Sequence, residues 1–480
     1  MHFLNFKPIP GVELPASVLV RVPLVATAPP GAGLNNHRSD PKGRGHDARS
    51  NTSYTASLHR LATNAGEKCW LARRRVPTLF YSIGRKMGVM KWASATSSDP
   101  DLPTALEQAT ADVEAALGAR PDLALAFVSE SHKRSYAMAA TILADRLGDC
   151  CIVGCSASGV IGGGHEWERM PAVSITGAML PGVELTARWF GAAELPGPAD
   201  SPLRWQHMLG VTPPQAPAFL ILADPYSFPV EAFLDGLDRV YPDCVKLGGL
   251  ASGMQAPGEV ALYLEHETHR AGAVCLALTG DIQLQTLVAQ GCRPIGEPLF
   301  ITRCDGNRLL EIDGRRPLDV LKLLYERLPA GDRALMSHSL FLGIAMRPSG
   351  TEYRQGDFLI RNLMSANNDD GGLLVSADLR ENHVVQFHLR DADTAAYDLE
   401  RVLSNLDATP APGSGALLFS CTGRGENLYG VRDHDVNAFR HHVGDLPLGG
   451  FFCNGEIGPV GGTTFVHGYT SAFGIVRPRG

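Results

Sequence analysis

Three short segments of the sequence place glycines beside hydroxyl, amide or thiol side chains directly after an apolar run. They read GCSASG at 154–159, GGLASG at 248–253 and GFFCNG at 450–455. Each pattern indicates a strand ending in a glycine-bounded turn, where backbone N–H groups are exposed and a ligand can approach closely. Ligands of open α/β sheets bind outside the carboxyl ends of strands.

We therefore expect the three turns to meet and line one pocket for a small polar or anionic group. The predicted contacts from the turns are Gly154, Ser156, Ser158, Gly159, Gly248, Ser252, Gly253 and Asn454. The alternative is that these glycines only make turns. The pattern is not a nucleotide fingerprint, because neither GxGxxG nor GxxxxGK[ST] occurs.

Two arginines on glycine-flanked turns are candidate anion contacts. Arg424 lies in FSCTGRG, where its guanidinium can fork onto a carboxylate. The alternative for Arg424 is a salt bridge to Glu456, which is itself a candidate ligand contact. Arg293 lies in QGCRPIG, and its alternative is a surface role.

A thiol nucleophile is a competing possibility at the same segments. Cys453 with His467 could form a nucleophile–base pair, and Cys155 is a second candidate thiol. A buried structural cysteine is the alternative in each case. The GxSxG elbow of hydrolases is missing. Because Arg440-His441-His442 lacks a carboxylate at metal spacing, we predict neither a metal nor a cofactor.

The glycine segments recur within a larger repeat. An apolar strand at 123, a helical stretch and a second strand ending at the first glycine segment have a counterpart 94 residues later, starting at 217. A third, weaker copy is predicted at 415–478. Strands flanking a helix of this length predict βαβ units in mixed sheets. We expect an α/β fold with duplicated strand–helix–strand units.

The region between the second and third copies has a different pattern. A hairpin turning at Asp305-Gly306 and a helix at 316–328 precede four probable strands and a helix that Asp393 caps. Consecutive strands indicate an antiparallel α+β layer. We place domains at 90–315 and 316–480, the second being an α+β C-terminal domain.

Composition limits the function. Residues 1–90 contain 13 basic and four acidic residues, whereas residues 91–480 contain 30 basic and 46 acidic ones. Because an acidic body binds phosphates poorly, we expect no nucleic-acid partner. No run of 18 apolar residues predicts a membrane span. Ten scattered cysteines indicate a reducing compartment, and we predict a cytoplasmic protein.

Residues 1–89 lack a sustained helical or strand period. We interpret them as a disordered, targeting or over-extended segment, with a true start at Met87 or Met90 as the preferred reading. A transit peptide is the alternative, since the segment is rich in arginine and poor in acids. That alternative would place the protein in a plastid.

Together, GCSASGVIGGG, QGCRPIGEP, FSCTGRG and GFFCNGEIGPVGG…HGYT resemble the FIST family, with an N-terminal and a C-terminal FIST domain. The resemblance covers roughly residues 90–480. It implies a sensory module for small, amino-acid-like ligands that serves signal transduction. Family members joined to kinases, cyclases or an F-box carry output regions that are not recognisable in this sequence.

We predict a small-ligand-binding sensory protein for amino-acid-like or other small carboxylate metabolites. A shift between closed and open arrangements of its domains would signal to a protein partner that the sequence does not name. The first alternative is a thiol-dependent amide or ester hydrolase. The second is a scaffold or adaptor related to F-box FIST proteins.

Overall fold

The computed structural model describes residues 79–81, 88–347, 352–406 and 411–479. Most of the predicted N-terminal segment, 1–89, lies outside these residues. Residues 79–81 of that segment form a strand, which differs from the interpretation of the segment as disordered chain. No helix in the described ranges is both long and apolar enough to cross a membrane.

The strands are numbered in chain order. They are β1 (Leu79–Tyr81), β2 (Lys91–Ser97), β3 (Leu123–Ser129), β4 (Cys151–Ala157), β5 (Gly159–Gly162), β6 (His165–Glu168), β7 (Val173–Met179), β8 (Val183–Phe190), β9 (Ala218–Ala223), β10 (Lys246–Leu250), β11 (Leu262–Leu264), β12 (Glu267–His269), β13 (Ala273–Gly280), β14 (Gln283–Gln290), β15 (Cys292–Asp305), β16 (Arg308–Ile312), β17 (Leu340–Ala345), β18 (Phe358–Ala366), β19 (Leu373–Val375), β20 (Val384–Arg390), β21 (Gly415–Cys421), β22 (Leu448–Cys453), β23 (Glu456–Val460), β24 (Thr463–His467) and β25 (Thr470–Arg477).

The α-helices are numbered in the same way. They are α1 (Leu102–Leu117), α2 (Tyr136–Leu147), α3 (Pro202–Leu209), α4 (Val230–Val240), α5 (Pro317–Arg327), α6 (Ala330–Met336), α7 (Ala392–Ser404), α8 (Glu426–Tyr429) and α9 (His434–Val443). Capping residues fix several starts: Asp101 accepts from Thr104 N at α1, and Asp391 accepts from Thr394 N at α7. Asp391, rather than the predicted Asp393, therefore caps α7.

Three sheets repeat one strand order. The first unit contributes β4-β3-β7-β2, the second β10-β9-β13-β8 and the third β22-β21-β25-β14. In each, the first two strands named are parallel and the other neighbours are antiparallel. The predicted α/β fold with repeated units is confirmed. The third unit begins at β14, well before the predicted residue 415.

A two-stranded hairpin extends each sheet, and it always comes from another unit. Hairpin β5–β6 of the first unit pairs with β22, hairpin β11–β12 of the second pairs with β4, and hairpin β23–β24 of the third pairs with β10. The exchange is cyclic, so the three units form a closed ring around a pseudo-threefold axis. Each sheet is completed by its neighbour.

A closed barrel is inserted into the third unit between β14 and α7. Its strands run in the order β15-β16-β19-β18-β17-β20. This barrel contains the predicted hairpin at Asp305-Gly306 and the four predicted strands. The strands expected to form an open antiparallel layer therefore form a closed barrel. The chain enters the barrel after Gly291 and leaves it at Arg390.

The glycines that begin the three segments lie inside strands, which corrects the prediction that they form turns. A Cβ at Gly154, Gly248 or Gly450 would overlap the carbonyl oxygen of the neighbouring parallel strand. The glycines are therefore required by close backbone approach at equivalent points of β4, β10 and β22.

Replacing Gly154 with alanine should destabilise the protein by about 3 kcal/mol or more, since backbone rather than a flexible side chain blocks the new Cβ. The measurement is the unfolding midpoint in urea. Gly331→Ala is the matched control, because a Cβ there meets nothing within 4 Å. Equal midpoints for the two variants would contradict the assignment.

Candidate functional site

The three glycine segments meet at the pseudo-threefold axis. Ser252 N donates to Ser156 O at 3.2 Å, and Asn454 N donates to Leu250 O at 3.0 Å, the equivalent contact one unit on. The equivalent contact between the first and third units is not direct but runs through a serine hydroxyl. Ser158 N donates to Ser252 Oγ at 2.8 Å, and this hydroxyl donates to a carbonyl of β22.

Several backbone groups at the junction therefore bond one another and do not face an open pocket. The Ser156 hydroxyl is also engaged, donating to Ser252 O at 3.3 Å and accepting from Ala261 N at 3.1 Å. A Cβ at Gly159 or Gly253 would lie 2.7 Å from a backbone oxygen, so both glycines mark tight approach. The predicted residues converge, but the axis itself is filled by their own hydrogen bonds.

A second polar cluster lies beside this junction, where β21, β22 and β23 end or begin. Four of its polar atoms are buried and have no hydrogen-bond partner among the described residues. They are Arg424 Nη1, Arg390 Nε, Thr422 Oγ1 and Glu456 Oε1. Since buried polar groups in proteins are normally bonded, this group marks the candidate binding site.

Arg424 is fully buried and is held by a carboxylate. Its Nε lies 2.9 Å from Asp435 Oδ2, and its Nη2 lies 3.3 Å from Asp435 Oδ1. The expected salt bridge to Glu456 is therefore not the one that forms. Burial opposes the charge of Arg424, but Asp435 raises the pKa of the guanidinium above its usual value. Nη1 lies beside Gly291, since a Cβ placed on that glycine would be 3.2 Å from Nη1.

Glu456 faces the same region from the start of β23. Its Oε2 accepts from Thr470 N at 3.2 Å and from Thr470 Oγ1 at 2.7 Å, whereas Oε1 has no described partner. Burial raises the pKa of this carboxyl to about 8, although the charges of Arg424 and Arg390 act in the opposite direction. Burial therefore favours the neutral carboxyl near neutral pH, and a cation beside Oε1 would favour the carboxylate.

Arg390, Thr422 and Tyr469 complete the cluster, and none of them is among the residues predicted from the sequence. The Arg390 guanidinium lies 4.9 Å from the centre of the Tyr469 ring, and Nη2 donates to Gly423 O. Tyr469 donates to Asn362 of the barrel. Thr422 and Tyr469 lie in the FSCTGRG and HGYT segments, but Arg390 ends a barrel strand and carries no local signal.

The equivalent strand ends in the other two units are closed by their own side chains. Ser129 bonds the backbone just before β7 through its hydroxyl, at 2.9 and 3.1 Å. Asp224 accepts from Ser227 Oγ at 2.5 Å, and Ser227 in turn accepts a backbone N–H. In the third unit the register places Cys421 at the equivalent position, and Thr422, which follows it, has a buried hydroxyl with no hydrogen-bond partner among the described residues.

Arg293 does not join the cluster through its charged group. Its Nη atoms lie 2.6 and 3.2 Å from the two carboxylate oxygens of Asp332, and its Nε lies 3.1 Å from Asp391. Asp332 belongs to α6 and Asp391 caps α7, so Arg293 links the barrel to the helix that follows it. Arg293 therefore forms ion pairs with Asp332 and Asp391 in place of the expected contact to an anionic ligand.

The predicted nucleophile–base pair is not formed. Cys453 Sγ donates to Phe451 O at 3.5 Å, and burial raises the pKa of its thiol well above the usual value. His467 Nε2 bonds Gly458 O at 3.0 Å, and burial lowers the pKa of the ring to about 4. Cys155 is buried and its pKa is raised in the same way. A thiol that stays protonated is a poor nucleophile.

Iodoacetamide at pH 7.5 should label the half-exposed Cys244 and Cys304 of the native protein well before Cys155 and Cys453, because only an accessible thiolate is alkylated. Mass spectrometry of tryptic peptides over a time course measures the order. Rapid labelling of Cys453 in the folded protein would revive the hydrolase interpretation.

Comparison with models of known protein families supports the resemblance that the glycine-containing segments indicate. A family model of the FIST N domain matches residues 122–315, and one of the FIST C domain matches residues 317–459. The chain belongs to the FIST family. The boundary between the two matches lies inside the barrel, so the FIST C match includes four of the six barrel strands and, from the polar cluster, Arg390, Thr422, Arg424 and Glu456.

Several curated proteins are similar to this FIST protein. An uncharacterized protein of Mycobacterium tuberculosis is 33% identical over 392 residues, which cover 80% of this chain and 99% of that protein. One of Mycobacterium bovis is 32% identical over 393 residues, covering 80% and 98%. An F-box/LRR-repeat protein of Arabidopsis thaliana is 33% identical over 128 residues, covering 22% and 24%.

Among solved structures, a cyanuric acid hydrolase from A. caulinodans aligns over 82% of this chain and 100% of its own. The TM-score is 0.33 and the sequence identity is 10%. A likeness of this size assigns neither a fold nor an activity to the FIST protein.

Proposed function

We propose that this FIST protein is a sensor that binds an amino-acid-like or other small carboxylate metabolite and signals through a protein partner. The observation that carries the proposal is the cluster of four buried polar atoms without described partners, on Arg424, Arg390, Thr422 and Glu456. Leaving such atoms unbonded costs about 1–3 kcal/mol each, which a bound polar molecule would offset.

The charges of the cluster suit a ligand that carries both signs. Arg424 Nη1 and Arg390 Nε are donors for a carboxylate, and charge-assisted bonds of this kind are the stronger ones. Glu456 Oε1 is the acceptor for an ammonium group. An α-amino acid presents these groups close together. A simple carboxylate would use the arginines and leave Glu456 protonated.

Signalling is proposed to use the inserted barrel. Gly291 before it and Arg390 at its end both line the cluster, so a ligand touches both connections between the barrel and the third unit. A ligand that prefers one arrangement of the barrel shifts the population towards that arrangement. The partner would then recognise the shifted state.

A cytoplasmic location is part of the proposal. Nine cysteines in the described ranges are all free. Thiols persist in reducing compartments, whereas an oxidising compartment favours disulfides.

A thermal-shift screen against amino acids and organic acids tests the proposal. The best amino acid is then compared with the amine that lacks its carboxylate and with the acid that lacks its amino group. We expect the intact amino acid to raise the melting temperature most, because a ligand that binds only the folded state stabilises it. Equal shifts for all three compounds, or no shift for any compound, would refute the proposed site.

A further inference from the structure

A separate group of buried hydroxyls lies where hairpin β11–β12 of the second unit joins the first sheet. Tyr136 and Tyr263 are 0% exposed, and the Tyr263 hydroxyl has no hydrogen-bond partner among the described residues. The Tyr136 hydroxyl makes no hydrogen bond of good geometry, although the hydroxyl of Ser156 lies beside it. The hydroxyl of Thr268 is also buried without a described partner. These three groups lie in another unit from Arg424 and Glu456, so they are not part of the cluster described above.

The topology brings the three hydroxyls to one side of the first sheet. Tyr263 of β11 lies directly opposite Thr268 of β12, and cross-strand partners place their side chains on the same face. Tyr136 is the first residue of α2 and belongs to the same core layer as Tyr263. Burial, with the nearby Tyr136, raises the pKa of Tyr263, so both phenols stay protonated and can donate.

Arg270 supplies positive charge at the rim of this hydroxyl cluster. Its guanidinium carbon lies 5.9 Å from the centre of the Tyr136 ring. A guanidinium has five N–H donors, and the structure describes one hydrogen bond from Arg270, to Val260 O at 3.3 Å. Further donors remain for a molecule beside Tyr136.

The loop at 251–260 connects β10 to β11, and Val260 at its end accepts the hydrogen bond from Arg270. Its Gly253 presses against the end of β4, where a Cβ would lie 2.7 Å from Ala157 O. An ion pair of 2.5 Å between Lys133 and Glu259 fastens the loop to the first unit. Both side chains of this pair are about one-third exposed, and such pairs hold weakly. The exposed middle of the loop, residues 255–258, can therefore move at little cost while Ser252 keeps its hydrogen bonds at the axis.

We propose that the hydroxyl cluster of Tyr136, Tyr263 and Thr268, with Arg270, is a binding site for a small oxyanion. An oxyanion offers acceptors only, which matches three hydroxyl donors and a guanidinium. The shared chemistry is that of a carboxylate or a phosphate. The ligand would enter when residues 255–258 of this loop move.

Calorimetric titration of the full-length protein with inorganic phosphate and, separately, with acetate tests the site. We expect one of the two anions to bind, and Tyr136→Phe, Tyr263→Phe and Thr268→Val each to weaken it by about 5- to 20-fold, the loss of one hydrogen bond. The anion that binds more tightly identifies the class. Tyr397→Phe, on the exposed side of α7, is the matched control and should leave the affinity unchanged.

The proposal is overturned if neither anion binds, or if the double Tyr136→Phe/Tyr263→Phe variant binds as tightly as the wild type. A melting temperature for the folded double variant that exceeds that of the wild type in the presence of each anion would also overturn it. That result would mean that the hydroxyls are merely unpaired in a dry core. Circular dichroism of every variant establishes that it folds.

Discussion

Arg424→Ala is expected to lower the free energy of unfolding by about 3–5 kcal/mol and to abolish measurable ligand binding. The destabilisation follows because Asp435, whose side chain is 2% exposed, loses the guanidinium that compensates its buried charge. The loss of binding follows because Nη1 is the proposed carboxylate donor. Differential scanning calorimetry measures the first effect, and titration with the amino acid that gives the largest thermal shift measures the second.

Two further variants separate these effects. Arg432→Ala removes a neighbouring arginine that is 71% exposed and pairs with Glu426 at 3.4 Å, so stability and binding should change little. Arg424→Ala/Asp435→Asn removes the stranded charge and should recover a large part of the lost stability without restoring binding. A double variant that binds like the wild type would remove Arg424 from the site.

Glu456→Gln is expected to change how stability depends on pH. Burial raises the pKa of Glu456 from 4.5 to about 8, so the folded state holds a proton that the unfolded state releases above pH 4.5. The contribution of Glu456 to stability is therefore complete below pH 4.5 and is lost as the pH rises to about 8. The loss is on the order of 5 kcal/mol.

Melting temperatures of wild type and Glu456→Gln at pH 5 and pH 8.5 measure this contribution. The glutamine variant should gain relative to the wild type at the higher pH, since its neutral side chain has no proton to lose. Asp235→Asn is a useful comparison, because burial also raises the pKa of Asp235, which lies on α4 of the second unit. It should share the pH effect but retain ligand binding. Parallel pH profiles for wild type and Glu456→Gln would contradict the assignment.

The sequence predicts the repeated units because an apolar strand, a helix and a second strand are local patterns. It places the third unit too late, since the barrel separates β14 from α7 by about 100 residues and hides their relation. The cyclic exchange of hairpins has no local signature, because it depends on which sheet edge lies nearest in the folded chain. The sequence also reveals the glycine segments, but it does not distinguish a glycine in a turn from a glycine required by close approach of two strands.

Part of the candidate site is also predictable from local sequence patterns. Arg424, Asn454 and Glu456 lie in dense glycine-containing segments, which draw attention to them in the sequence. Arg390 is brought in by the barrel and Asp435 by α9, so tertiary structure alone reveals them. The choice of Asp435 over Glu456 as the partner of Arg424 is likewise a matter of packing.

A crystal structure of the protein with the amino acid that gives the largest thermal shift tests the central claim most directly. We expect the ligand carboxylate within hydrogen-bond distance of Arg424 Nη1 and Arg390 Nε, and its ammonium group on Glu456 Oε1. A ligand bound elsewhere, with those three atoms paired to protein groups, would contradict the account.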